Sequence, residues 1–282
     1  MKRLRLFIVL LFVTLITSCA PLARNINKDE NTNLIVSVID VGQGDSILIK
    51  TPKNKYVLVD GGSKTEKDKL FNFLKTQDID KIDVIIGTHP HEDHIGNLDD
   101  VIRDYDVGEI YLPKVTASTK TFADLMDAIR DKNLSIKNAK AGVSFSLDGV
   151  NFDFIAPNSS KYEEVNNYSA VVKVTYRKSS FLLMGDAEKL SENEIMSRGF
   201  NVSADIIKIG HHGSSSSSSR KFIEAVNPEY AVISCGKGND YGHPHRETLK
   251  LLSDLKIKTY RTDIDGTVSF STDGYNIKSA KK

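Results

Sequence analysis

The chain has 282 residues, of which 40% are hydrophobic, 8% aromatic and 27% charged, with 38 Lys and Arg against 37 Asp and Glu for a net charge of +1. That composition supplies enough apolar side chain for a buried core and excludes disordered, collagen-like and multi-span membrane proteins. The two cysteines lie far apart, so neither a disulfide scaffold nor a paired-thiol metal or redox site is available.

In chain order, Lys2, Arg3 and Arg5 precede an apolar run from Leu6 to Ile16, too short to span a bilayer but suited to a secretory signal. The run ends in Ile16-Thr17-Ser18-Cys19, which resembles the lipobox of bacterial lipoproteins. Residues 1–18 are therefore expected to be removed on export, leaving Cys19 to carry a lipid that holds the protein on the membrane, facing outside the cytoplasm. Read as an ordinary signal peptide, the segment would leave Cys19 an unpaired thiol in an oxidising compartment. Cleavage lowers the basic count from 38 to 35 against 37 acidic groups, a mature net charge of −2. Tight non-specific binding of nucleic acid gains little from that balance, although a local groove can still be basic. Residues 19–33 are polar and aperiodic, as a tether would be.

From Leu34 the pattern is that of a folded body reaching to residue 282. Leu34 to Ile39, Ser46 to Ile49 and Tyr56 to Val59 read as strands, the last ending in Asp60-Gly61-Gly62. Leu70, Phe73 and Leu74 fall at helical spacing, Ile82 to Ile86 is a buried strand, and Phe122, Leu125, Met126 and Ile129 mark an amphipathic helix. Strands return at Phe152 to Ile155, Ala170 to Tyr176 and Phe181 to Met184. Helices near Leu190 to Met196, Lys221 to Val226 and Glu247 to Leu255 then alternate with strands at Asp205 to Ile209, Tyr230 to Ser234, around Thr259 and at Val268 to Phe270. Interleaved helices and more numerous strands predict one domain of sheet packed on sheet with helices outside. Ser214 to Ser219 is flexible by composition, and Cys235, on an apolar strand, reads as a buried small residue.

All seven histidines fall in three clusters: His89, His91 and His94; His211 and His212; His243 and His245. The first follows the strand Ile82 to Ile86 directly and includes Asp93, so a rigid strand end presents several imidazoles and a carboxylate, the way a protein preorganises a metal site. Phe181 to Asp186 and Ile206 to His212 deliver an aspartate and two histidines in the same manner. Imidazole with carboxylate suits zinc, manganese or iron better than calcium or magnesium.

The run Thr88-His89-Pro90-His91-Glu92-Asp93-His94 resembles the HxHxDH motif of the metallo-β-lactamase superfamily. Asp40-Val41-Gly42-Gln43-Gly44-Asp45-Ser46, Leu58-Val59-Asp60-Gly61-Gly62, Gly185-Asp186, Gly210-His211-His212-Gly213-Ser214 and Tyr241-Gly242-His243-Pro244-His245 are similar to the ComEC/Rec2-like branch, which includes soluble domains of competence proteins and phosphorylcholine esterases. The resemblance runs from residue 34 to about residue 272. It implies an α/β, four-layer αββα sandwich with a two-metal site at one edge of the sheets. His89 and His91 match ligands of one metal, Asp93 and His94 those of the other, and Asp186 the carboxylate between them. One of His211 and His212 matches the last ligand; successive side chains of an extended segment point opposite ways, and His212 is the preferred member. Asp60 matches a support for a ligand. No histidine lies between His94 and His211, where β-lactamases and glyoxalases supply a third imidazole to the first metal. Asn167 and Ser169 fall about where that group would be, so one tight and one labile divalent ion, Zn or Mn, are expected.

Two such ions suit in-line displacement at phosphorus. Asp93, His211, His243 and His245 are then the catalytic candidates, the last two in a turn that can face an anion or assist a leaving group, and Ser214 with Ser217 to Ser219 the hydroxyls that could hold phosphate oxygens. The expected activity is an extracytoplasmic phosphodiesterase acting on DNA. A phosphodiesterase for an envelope polymer or small diester is the alternative, and a non-catalytic binding module comes from a different class.

Overall fold

The computed structural model describes residues 33–281. The predicted signal, Cys19 and all of the tether but its last residue lie outside them. The strands in chain order are β1 (Leu34–Val38), β2 (Ile47–Lys50), β3 (Tyr56–Val59), β4 (Lys81–Ile86), β5 (Asp106–Leu112), β6 (Ile136–Asn138), β7 (Ser144–Leu147), β8 (Val150–Phe154), β9 (Val172–Tyr176), β10 (Ser179–Leu183), β11 (Ile206–Lys208), β12 (Tyr230–Ile233), β13 (Lys258–Arg261), β14 (Val268–Thr272) and β15 (Ile277–Lys281). The helices are α1 (Lys67–Lys75), α2 (Glu92–Ile95), α3 (Leu98–Asp104), α4 (Lys120–Asp131), α5 (Lys189–Ser197), α6 (Arg220–Val226), α7 (Arg246–Asp254) and α8 (Thr262–Asp265).

Two sheets form, ordered β15-β14-β1-β2-β3-β4-β5-β6 and β13-β12-β11-β10-β9-β8-β7. The period of two along each strand decides the layering. In β3 and β4 the parallel pairs Val57 with Val84 and Val59 with Ile86 face the second sheet, whereas Leu58 and Ile85 face the helices. Both faces are buried, so these strands read as continuous apolar runs. Phe152, Phe154, Phe181 and Phe270 fill the space between the sheets. Leu70 and Leu74 of α1, Val101 and Ile102 of α3, and Leu125 and Ile129 of α4 cover the first sheet. Ile195 of α5, Phe222 and Ile223 of α6 and Leu252 of α7 cover the second. The result is the four-layer αββα sandwich, a single α/β domain.

Three expectations change. The strands β5 and β6 extend the first sheet beyond β4, although Gly108 and Glu109 interrupt the apolar pattern of β5. The polar edge strand β15 carries the sheet past residue 272 by pairing with β14. Ser214 to Ser219 is a built loop: Ser214, Ser217 and Ser218 are buried, and the carboxylate of buried Glu192 on α5 accepts from the Ser218 N–H and, at 2.9 Å, from the Ser219 N–H. No helix among the described residues is long and apolar enough to cross a membrane.

Candidate metal centre

The strands β3 to β6 run parallel, as do β10 to β13. Asp60 follows β3, the histidine run follows β4, Asp186 follows β10 and His212 follows β11, so the candidates gather beyond the carboxyl ends of parallel strands, where open α/β sheets place their sites. The single turn of α2 folds Asp93 and His94 back toward the sheet edge, with His91 at its N-cap. Its exposed neighbour Glu92 turns away to accept from the Lys64 N–H at 2.6 Å and the Ser63 hydroxyl at 3.2 Å. Gly44 has φ +131°, and a side chain there would meet the Asp93 carbonyl oxygen at 2.2 Å. Only glycine allows that approach, which leaves the Asp45 N–H free to donate to the same carbonyl at 3.1 Å.

Asp186 lies at the centre. Its Oδ1 is 3.2 Å from His94 Nε2, and its Oδ2 is 3.4 Å from His212 Nε2 and 3.8 Å from His89 Nε2. On one side, His212 Nε2 is also 3.2 Å from Asp93 Oδ2, itself 4.0 Å from His94 Nε2. On the other, His89 Nε2 and His91 Nδ1 face each other at 2.9 Å. Asp93, His94 and His212 form one group of ligand atoms within 4.8 Å of one another, and His89, His94 and Asp186 a second.

Partners behind the rings fix which nitrogen faces the cleft. Asp60 Oδ2 receives His94 Nδ1 at 2.8 Å and the Thr88 hydroxyl at 2.7 Å, while Asp60 Oδ1 accepts from the Thr88 N–H at 2.7 Å. The carboxylate thus directs His94 Nε2 inward, as a ligand support does. His212 Nδ1 meets the Ser234 carbonyl at 3.0 Å. His89 Nδ1 lies 3.1 Å from Thr88 Oγ1 and 3.4 Å from Ser169 Oγ, and that serine oxygen also accepts from the Asp186 N–H at 3.0 Å. Ser169 therefore holds two candidate ligands from behind.

The protonation pattern follows from burial and charge. Burial alone would lower the pKa of His212, but Asp186, Asp93 and Asp45 outweigh it and lift the value to about 10. The same contest raises His94, through Asp186, Asp60 and Asp93. Burial and the neighbouring His94 push His89 well down. Asp93 and Asp186 are held low, because His94 and His212 overcome the cost of their burial.

Other candidates sit differently. His211 and His212 both have positive φ, 48° and 52°, so the expectation of an extended pair is wrong; a left-handed kink, costly for side-chain-bearing residues, separates the rings. His211 stands at the rim, with Nε2 3.9 Å from Asp186 and Nδ1 3.0 Å from the Ser216 hydroxyl. His245 faces away from the cleft: its Nδ1 accepts from the Ser215 N–H at 2.9 Å and its Nε2 meets the Tyr241 carbonyl at 3.2 Å, so both nitrogens pin loops. His243 remains on the cleft with its buried Nδ1 unpartnered, and burial with its imidazole neighbours lowers its pKa to about 4. Asn167 does not replace the missing imidazole, since its amide bonds Glu188 and Ser191; Asn166 instead faces His211 at 3.4 Å. The Ser214 hydroxyl is spent on Ser216 within its own loop.

Sequence reasoning missed two charged residues. Lys208, 1% exposed on β11, pairs with the buried Asp45 ahead of β2, whose Oδ1 is 3.5 Å from His212 Nδ1. A lysine inside Ile206-Ile207-Lys208-Ile209 was the available signal, since such a charge is buried only with a partner. Gln43, Tyr241 and His243 complete the lining of a cleft of about 350 Å³ with His91, Glu92, Asp93, Asp186, His211 and His212.

Comparison with known proteins adds three findings. The Metallo-beta-lactamase superfamily model matches residues 39–237. The chain is 33% identical over 252 residues to ComE operon protein 3 of Bacillus subtilis (strain 168), covering 83% of this chain and 32% of that one. It is 29% identical over 248 residues to Competence protein ComA of Neisseria gonorrhoeae, covering 87% of this chain and 33% of that one. The chain thus spans about a third of the length of the curated relatives it matches. Among solved structures, the metallo-beta-lactamase fold protein YhfI from Bacillus subtilis is similar in fold, with a TM-score of 0.55 and 10% identity over 88% of this chain and 100% of that one.

Proposed function

The chain belongs to the metallo-β-lactamase superfamily, and we propose on that footing that it is a hydrolase that binds two divalent ions, Zn or Mn, and cleaves phosphodiesters, DNA above all. The observation that carries the reading is the shared position of Asp186, flanked by His89 and His91 on one side and by Asp93, His94 and His212 on the other. The residues fit metal: His94 Nε2 and His212 Nε2 are buried and converge on the Asp186 carboxylate at 3.2 and 3.4 Å outside hydrogen-bond geometry, and a cation that displaces their ring protons meets lone pairs aimed at it. Groups buried that way are costly unless a cation or donor completes them.

His89, His91 and Asp186 would hold one ion, and Asp93, His94, Asp186 and His212 the other. Divalent cations there would supply Lewis acidity for phosphoryl oxygens and acidify water. Asp60 and the Ser234 carbonyl orient His94 and His212, and Ser169 fixes His89 relative to Asp186. His243, neutral near pH 7 and part of the cleft lining, offers its imidazole to a phosphate or leaving oxygen at the mouth. The Ser169 hydroxyl lies behind His89 at the first position and no third imidazole is present there among the described residues, which leaves that ion more open to substrate oxygens and favours diesters over lactams.

Similarity to competence proteins supports DNA as the substrate. The mature charge of −2 supports the second reading, an envelope polymer or small phosphodiester. In either case the protein would work outside the cytoplasm, on a lipid attached to Cys19. The test offers metal-loaded protein single-stranded DNA, duplex DNA and bis-p-nitrophenyl phosphate in parallel. Cleavage of all three with Mn or Zn is expected. Hydrolysis of the small diester alone would reject the nuclease, and no hydrolysis at all would leave a binding module.

A further inference from the structure

Tyr241 stands at the lip of the metal cleft with 68% of its surface exposed. Its ring lies parallel to that of His243, with centroids 5.6 Å apart and planes inclined by 19°. Inward of it the rings are tilted rather than stacked, with His243 to His212 at 6.0 Å and His212 to His94 at 5.3 Å. Two ring-to-ring steps therefore separate the exposed tyrosine from a candidate ligand.

The loop that presents Tyr241 is fixed by one side chain. Asn239 Oδ1 accepts from the Tyr241 N–H at 3.2 Å and the His243 N–H at 3.0 Å, while Asn239 Nδ2 donates to the carbonyls of Gly236 at 2.9 Å and His243 at 2.6 Å. Behind it, His245 ties the Tyr241 carbonyl to the serine loop. A large apolar ring held outward by a fully bonded loop loses little further entropy when something stacks on it, and its outer face stays free.

We propose that Tyr241 is a specificity-determining platform that stacks a nucleobase adjoining the scissile phosphate. This rests on the phosphodiesterase reading and selects nucleic acid within it. The competing occupant would be a quaternary ammonium headgroup, which takes an enclosure of several aromatic faces. Among the described residues lining the cleft, Tyr241 is the only Phe, Tyr or Trp, and one open face suits a flat ring. Base-on-aromatic stacking is tolerant of sequence, as a degrading or processing enzyme requires.

The chain contains no tryptophan, so Tyr241→Trp in the full-length protein creates a single fluorescent reporter on the platform itself. Thymidine 5′-monophosphate is expected to quench it with an apparent Kd about tenfold tighter than glycerol phosphate, the size of one stacked base. Equal affinities, no quenching by any ligand, or tightest binding of phosphocholine would each overturn the proposal. In a second arm, Tyr241→Leu is expected to lower the ratio of kcat/KM for a dinucleotide over an aliphatic phosphodiester by about tenfold; an unchanged ratio contradicts the platform. Failure of the unsubstituted protein to hydrolyse any diester would strike the phosphodiesterase reading, whereas the binding titration still judges the platform.

Discussion

His212 shows how much one side chain's surroundings decide. Its Nδ1 rests on the Ser234 carbonyl and its Nε2 faces Asp93 and Asp186 at 3.2 and 3.4 Å. Burial disfavours its charge, but the carboxylates win and lift the pKa from 6.5 to about 10. In protein stripped by chelator, this proton contributes stability that is fully present below pH 6.5 and is lost as pH rises through about 10. A metal ion must displace the same proton. Metal affinity is therefore expected to rise with pH across that window, by about tenfold per pH unit for each proton released. Calorimetric titration in two buffers of different ionisation enthalpy counts the protons; affinity independent of pH with none released would contradict the assignment. His212 and His94 were legible as members of clustered motifs. It is His212, the preferred member of the adjacent pair, that turns inward, but through left-handed backbone rather than the extended segment on which that preference rested.

Among elements, the junction of β11 with the segment ahead of β2 carries the most consequence. Lys208 belongs to the second sheet and Asp45 to the segment leading into β2 of the first, so their buried pair ties the two beside the candidate metal centre. Asp45 also reaches the site through its backbone, since its N–H holds the Asp93 carbonyl and its carbonyl accepts from the Gly62 N–H at 2.8 Å. Lys208→Met removes the nearer cation from buried Asp45, leaving only His212 at 3.5 Å, and is expected to cost about 3–5 kcal/mol of stability. Adding Asp45→Asn removes the stranded charge and should recover much of the loss. Urea unfolding of the two variants measures this, and wild-type stability for Lys208→Met would mean that the pair ties nothing. The strands around this junction were legible because Leu34 to Ile39, Ser46 to Ile49, Tyr56 to Val59 and Ile82 to Ile86 are short, mostly apolar runs bounded by turn residues. The strands β5 and β15 were not, since one is broken by Gly108 and Glu109 and the other lies at an edge with little apolar surface to bury.

At the scale of the whole molecule, both sheets bring candidate ligands, four from the first and two from the second. His89, His91, Asp93 and His94 follow β4 of the first sheet, and Asp186 and His212 follow β10 and β11 of the second. An ion held between them crosslinks the sandwich, so metal loading should raise the unfolding temperature. The group Asp93, His94, Asp186 and His212 offers four donors and the His89 side three, so the first equivalent should give most of the rise. At about 100 times its dissociation constant an ion adds roughly 2.7 kcal/mol. Thermal unfolding at zero, one and two equivalents, with metal counted after gel filtration against chelator, checks both points; two equivalents retained would contradict a labile ion.

The sequence by itself determined the layered architecture and singled out the imidazoles and carboxylates that meet at its edge, because apolar periodicity dictates which faces are buried and these residue types stand together in short motifs at strand ends. Only the tertiary structure decided the division of labour among them. It put His212 in the site and His211 at the rim, turned His245 into a pin for Ser215, set Asn167 on Glu188, and brought Lys208 onto Asp45. Local sequence fixes what a side chain can do. What it faces depends on loops anchored to strands far apart in the chain, and that is settled when the two sheets pack.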